Sequence, residues 1–339
     1  MTGPNDTSFF RVLNRPERVS FAFMAVMLLL IGWLHMATLL LTALFCHLAL
    51  RAFSLGRSKV LGLILFTIVL IGICWGLYYF SKRAYVAFPK IIESSIPAIA
   101  NYAEQQGIEL PFTDFASLKT LAVEELTERV ANVGGYARMA VHQLAYLIIG
   151  VVVAISLFLD SRLRVAGDPH TAGENLYTIT LHQLGLRFRT FYRSFATVMG
   201  AQILISFFNT LLTAAFLFGM GFPHAVVLTG LTFLCGLLPI VGNIISNTVI
   251  TGVAFTISPR MALFALLFLI AIHKFEYFLN SKIIGSRIKN PMWLTLLGLL
   301  VGEKLMGIPG MILAPIVLHY IKVEASRAKV DAQPPPESP

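Results

Sequence analysis

Carboxylates, side-chain amides and helix-breaking prolines all occur in this chain within strongly apolar sequence. Glu276 falls in HKFEYFLNS, near the end of an apolar run. An ionised carboxylate costs roughly 3 kcal/mol at the centre of a membrane helix. Glu276 should therefore face protein or water, bind a proton or cation, or pair with Lys274 or Lys282 at the interface. Asn243 and Asn247 stand four apart, so on a helix they share a face and can offer amide oxygens to a ligand or to a neighbouring helix. They follow a break at Pro239 and Gly242, in GLLPIVGN. Proline removes a backbone donor and clashes with the preceding turn. A carbonyl freed in hydrocarbon needs protein or a wet cavity around it, and discontinuous helices often mark transporter binding sites. A proline-kinked helix with no ligand is the plainer alternative.

A second irregular region closes the apolar sequence. Glu303 and Lys304 precede Gly307, Ile308, Pro309 and Gly310, and Ala314 and Pro315 follow. Adjacent opposite charges at a turn can simply be solvated. The small-residue pairs Gly298/Gly302 and Gly307/Gly310 suit close helix packing. Gln202 and Asn209, seven apart, read as packing polar groups, and His35, His47 and His142 as structural. The chain has no G-x-S-x-G elbow, H-E-x-x-H pair or G-x-x-x-x-G-K-[ST] loop, so neither a soluble-enzyme site nor an ATP-driven pump is expected.

The elements that must carry these residues are membrane helices. Of 339 residues, 57% are hydrophobic and 13% charged, against roughly 25% charged in soluble domains. Mean hydropathy is +0.77. The net charge of +9 suits cytoplasmic loops better than nucleic-acid binding, for which no motif is present. Cys46, Cys74 and Cys235 are isolated in apolar runs and predict neither a disulfide framework nor a metal cluster. The expected class is an all-α polytopic membrane protein. It has about eight apolar segments, including short or re-entrant hairpins, and an extracytoplasmic helical insert.

Residues 1–18 read as a cytoplasmic leader with no convincing cleavage site. The region 19–80 holds a tight hairpin of two short helices, turning near Trp33–His35, with one long tilted helix as the alternative, and then a span over Val60–Phe80. Arg51, Arg57 and Lys59 mark the inside. Residues 81–137 carry five basic against seven acidic residues and suit the outside face as a helical insert. Within it Thr113–Asp114 can cap a helix running to Gly134–Gly135, set off by Gly107 and Pro111 from an earlier one. A span over 138–160 follows. Residues 161–194 mix Arg187, Arg189 and Arg193 with Phe188, Phe191 and Tyr192, as a cytoplasmic helix at headgroup level would. Residues 195–323 form a C-terminal core. It contains a span to Met220, two arms on either side of the break, a span over Met261–Leu279, and a terminal hairpin over 293–320. The hairpin arms are expected to be roughly 10–14 residues, as in re-entrant segments. A disordered tail, 324–339, ends in a proline-rich stretch.

The C-terminal motifs run in a specific order: Pro239–Gly242, then Glu276, then Gly285, then Gly307, Ile308, Gly310, Ala314 and Pro315. In this order the chain closely resembles the AI-2E transporters, most strongly over residues 195–323. The resemblance implies a bacterial inner-membrane protein with cytoplasmic termini. It implies export or exchange of a small solute (a signal molecule, a metabolite or Na+/H+) by a secondary mechanism, without an organic cofactor and with H+ or Na+ as candidate coupling ions. It also implies a homo-oligomer in the lipid bilayer, with a pentamer as a candidate state. Two departures stand out. Tyr277 follows Glu276 where the family usually has Asn, and Ser281 or Lys282 stands where a Pro is usual.

The leading expectation is thus a secondary transporter, not an enzyme, whose site lies between the broken segment 239–247 and the terminal hairpin. Glu276 is the coupling carboxylate, and Asn243, Asn247 and Glu303 are further candidates along the path. Pro239, Gly242, Gly307, Pro309, Gly310 and Pro315 supply breaks and hinges. A scaffolding membrane oligomer and a passive channel are the alternatives.

Overall fold

The computed structural model describes residues 15–54, 58–108, 133–159, 176–239, 241–284 and 291–327. Ten helices make up this part of the chain, with no strand among the described residues. They are α1 (Arg15–Trp33), α2 (Ala37–Phe53), α3 (Lys59–Gln105), α4 (Val133–Leu159), α5 (Leu176–Gly219), α6 (Ala225–Gly236), α7 (Val241–Ile257), α8 (Pro259–Ile284), α9 (Met292–Met306) and α10 (Ile308–Ala325). By length and apolarity, α1, α3, α4, α5 and α10 can each cross a bilayer, while α2, α6 and α7 are shorter apolar helices. Large apolar side chains stay uncovered on their outer faces, among them Leu29, Val60, Val141 and Leu211. A lipid solvent permits this, because acyl chains are as apolar as the side chains themselves.

The chain divides into two compact units. The first comprises residues 1–51, 149–198 and 290–339; the second comprises 52–148 and 199–289. The boundaries fall inside α2, α4 and α5, so single helices contribute to both.

In the first unit, the turn between α1 and α2 lies where the sequence predicts it. The amide of Met36 bonds the Ile31 carbonyl and that of His35 the Gly32 carbonyl. This is a Schellman closure, with His35 in the left-handed position that glycine normally takes (φ 54°). Phe45 meets Phe195 edge-on at 4.9 Å, and His47 meets Tyr192 at 5.1 Å, joining α2 to α5. The terminal hairpin consists of α9 and α10, with Gly307 at φ 63° between them. Its arms have 15 and 18 residues, longer than the 10–14 the sequence suggests. Gly302 and Gly310 pack backbone to backbone, so a Cβ on either would overlap the other's carbonyl. Pro309 sits in the first turn of α10, where its missing N–H costs nothing, and Pro315 lies inside the helix.

The second unit is built on α3. This helix has 47 residues and is about 70 Å long, more than twice the thickness of a hydrocarbon core. The earlier helix of the expected insert, residues 81–105, is continuous with the Val60–Phe80 span. Ala84, Ala87 and Ile91 from this prolongation enter one core with Leu217 of α5, Leu228 of α6, Ile250 and Val253 of α7, and Ala265 of α8. Phe216 stacks on Phe268 at 4.1 Å inside it. Pro89 and Pro97 lie within the prolongation. Beyond the hydrocarbon, water can take the carbonyls that these prolines leave without a partner. The helix ends where Gly107 adopts φ 68°. The capped helix expected from 113 lies outside the described residues, except for 133–135, which belong to α4.

Two further boundaries differ from the sequence reading. The headgroup-level helix and the following span are one helix, α5, of 44 residues. The disordered tail does not begin at 324: α10 continues through Ala325, and Glu324 is 4% exposed. Residues 1–14, 161–175, 285–290 and 328–339 lie outside the described residues, and with them most of the expected leader, Gly285 and the proline-rich end.

Candidate functional site

The break between α6 and α7 solves a hydrogen-bonding problem that its sequence creates. Helix α6 ends at Gly236; Leu237 and Leu238 turn, Pro239 follows, and α7 begins at Val241. Tight local bonds close part of the turn: Leu238 N–H to the Cys235 carbonyl at 2.8 Å and Val241 N–H to the Pro239 carbonyl at 2.7 Å. Two carbonyls at the end of α6 take their donors from α5 instead. The Ser206 hydroxyl donates to the Phe233 carbonyl at 3.0 Å. The Gln202 amide donates to the Gly236 carbonyl at 2.7 Å. In a medium without water, such side chains do what solvent does elsewhere. Gly242 then lets α7 start directly against the end of α6, since a Cβ there would overlap the backbone carbonyl of Cys235.

One helical step past Gly242, Asn243 is 7% exposed and turns toward α8. Its amide nitrogen donates to Oε2 of Glu276 at 2.7 Å. The same oxygen lies 3.5 Å from Nδ1 of His273, one turn earlier on α8, and the Glu276 side chain is 16% exposed. Ile205 and Asn209 of α5 and Ile272 and Phe275 of α8 close in around the carboxylate and leave no room for a water molecule. The second half of α5 thus presents a polar stripe: Gln202, Ser206, Asn209 and buried Thr213, at helical spacing. Gln202 and Asn209 are legible in the sequence as packing groups. Ser206 and Thr213 complete the stripe at i+4 and i+11, a periodicity that would have found them.

The structure therefore joins Asn243 to Glu276 beside Pro239 and Gly242. Asn247 sits one turn further along α7, partly buried, and takes no part in this bond. Glu303, Gly307, Pro309, Gly310 and Pro315 belong to the other unit. There the side chains of Glu303 and Lys304 are exposed at the end of α9, as a solvated charge pair would be.

The first unit holds a buried charge cluster that the sequence reading missed. The Arg187 guanidinium of α5 bonds and ion-pairs with Oε2 of Glu324 on α10. The same guanidinium lies 3.9 Å from the ring centroid of Phe21. Arg327 donates to the Thr190 hydroxyl at 2.9 Å, one turn from Arg187. Tyr320 packs edge-on against Phe191 at 5.5 Å. Its hydroxyl, the Glu324 Oε1 atom and both ring nitrogens of His319 are buried without a hydrogen-bond partner among the described residues. Arg187 is thus a cation held in an ion pair between α5 and α10. The sequence signal was weak because the pair is 137 residues apart.

Among the described residues the chain is all helical, with five helices long and apolar enough to cross a membrane, the architecture of a polytopic membrane protein. The family model described as AI-2E family transporter matches residues 19–327, nearly all of the chain. The protein belongs to that family of membrane transporters. A relative, "Putative transport protein YdbI" of Bacillus subtilis (strain 168), is 33% identical over 136 residues. The match covers 39% of this chain and 39% of the relative, so it spans about two fifths of that protein's length.

Proposed function

We propose that this protein is a secondary transporter of a bacterial inner membrane, exporting or exchanging a small solute, with Glu276 as the carboxylate that couples transport to H+ or Na+. The observation that carries this reading is the Asn243–Glu276 bond beside the interrupted α6–α7 segment. A carboxylate in apolar surroundings, with an amide on one oxygen and an imidazole 3.5 Å away, can take up and release a cation as its environment changes. The amide donates to the ionised form, and the imidazole can exchange a proton with it. Cytoplasmic termini and a homo-oligomeric assembly, with a pentamer as candidate, complete the proposal.

The test is flux in proteoliposomes containing the full chain, driven by an imposed pH or sodium gradient. Candidate solutes are taken from those enriched in the medium of overexpressing cells. Glu276→Gln should abolish gradient-driven flux while leaving the protein monodisperse and its melting temperature nearly unchanged. Asn243→Ala should reduce flux by a smaller factor. Undiminished gradient dependence in Glu276→Gln would remove Glu276 from the mechanism, and wild-type flux indifferent to either gradient would favour a channel.

A further inference from the structure

A cavity lies in the same unit and has no part in the Glu276 site. It encloses about 550 Å3 and is lined by Arg83 and Val86 of α3, Leu217 and Phe218 at the end of α5, and His224 and Val226 at the start of α6. Its walls are mostly apolar, and Arg83 is their fixed cation. Phe218 and Val226 are more than half exposed, so the groove opens outward rather than into the core.

Position along α3 says what lies outside. Val60–Phe80 is uninterrupted apolar helix about 31 Å long, which matches a hydrocarbon core. Lys82 and Arg83 therefore fall at headgroup level. Trp75, Tyr78, Tyr79 and Tyr85 are all exposed around that level, as aromatic residues at a membrane–water boundary are. The Arg83 guanidinium rests 5.3 Å above the Tyr79 ring, which orients it without consuming its donors. Among the described residues no carboxylate pairs with it. Helix α6 starts at the same groove with no side chain capping its first turn, adding the positive end of a helix to the field there.

We infer that this groove is a binding site for an anionic phospholipid, whose phosphate is held by Arg83 and whose acyl chain lies along Phe218 and Val226. A guanidinium at headgroup height suits a phosphate, because its planar donors meet two oxygens at once. The apolar walls around it suit hydrocarbon better than a hydrated free anion. The inference does not depend on Glu276 or on what the protein carries.

The experiment is native mass spectrometry of the detergent-purified full chain with equal amounts of phosphatidylglycerol and phosphatidylcholine. Wild type should retain the anionic lipid about tenfold over the zwitterionic one, the scale of one charge-assisted contact. Arg83→Gln should bring that ratio close to one, and Arg83→Lys, which keeps the charge but loses the planar fork, should leave an intermediate ratio. Val226→Trp, which fills the groove from its exposed side, should lower retention of both lipids with the melting temperature maintained. Equal retention of the two lipids by wild type would overturn the inference, as would an unchanged ratio in Arg83→Gln. Loss of the bound lipid to millimolar inorganic phosphate would reassign the cation to a soluble anion and overturn it too. Should Arg83→Gln fail to fold, Val226→Trp decides: full lipid retention there ends the case.

Discussion

Among the described residues Glu276, partly buried in one unit, and Glu324, buried in the other, are held in different ways. Glu324 is 4% exposed and meets the Arg187 guanidinium, with Arg327 and Thr190 bonded one turn away. Glu276 is 16% exposed and meets a neutral amide and an imidazole. The Arg187 guanidinium pairs the first carboxylate, and removing either partner would leave the other's buried charge unmatched. Among the described residues the second carboxylate meets an amide and an imidazole, and no permanent cation. The first arrangement fastens two helices together. The second suits a group that must gain and lose a cation during a working cycle.

The contrast can be broken most forcefully at Glu324. Glu324→Gln leaves Arg187 buried without its counter-charge and should cost about 3–5 kcal/mol, read as a large fall in melting temperature in detergent. A loss under about 1 kcal/mol would mean that the pair is not a structural clamp. Next in size is Gly242→Ala. The new methyl group overlaps the Cys235 backbone, which cannot rotate away, so roughly 1–3 kcal/mol should be lost. Flux should fall as well, because α7 carries Asn243. Ser206→Ala removes the donor to the Phe233 carbonyl and should cost about 1–2 kcal/mol. Gln202→Leu should do the same at Gly236. The smallest effect on stability, below about 1 kcal/mol, is expected for Glu276→Gln, whose amide oxygen can still accept the bond from Asn243. That small loss alongside abolished gradient-driven flux would sharpen the comparison most. A stability loss as large as that of Glu324→Gln would erase it.

Much of the architecture was legible because it rests on local rules. The turn at Trp33–His35, the arms on either side of Pro239 and the hairpin closing at Gly307 all follow from apolar length and from proline and glycine placement. Where α3 and α5 run on past their apolar stretches, the sequence was misleading. A change from apolar to charged residues marks where the solvent changes, and a helix can cross that boundary without a break. Glu324 was misplaced for a related reason: it borders a polar, proline-rich stretch, and its partner Arg187 lies on a distant part of the chain.

The sequence by itself determined that this protein is a bundle of membrane helices with interruptions near 239 and 307, since hydrophobic length and helix-breaking residues act within a few turns. It also supplied the residues able to act, Asn243 and Glu276 among them. Which of them meet was decided only by tertiary structure. The α6 carbonyls take their donors from α5, Asn243 reaches Glu276 rather than solvent, and Arg187 finds Glu324. Each of these bonds joins residues from 27 to 137 positions apart, a separation that no local periodicity encodes.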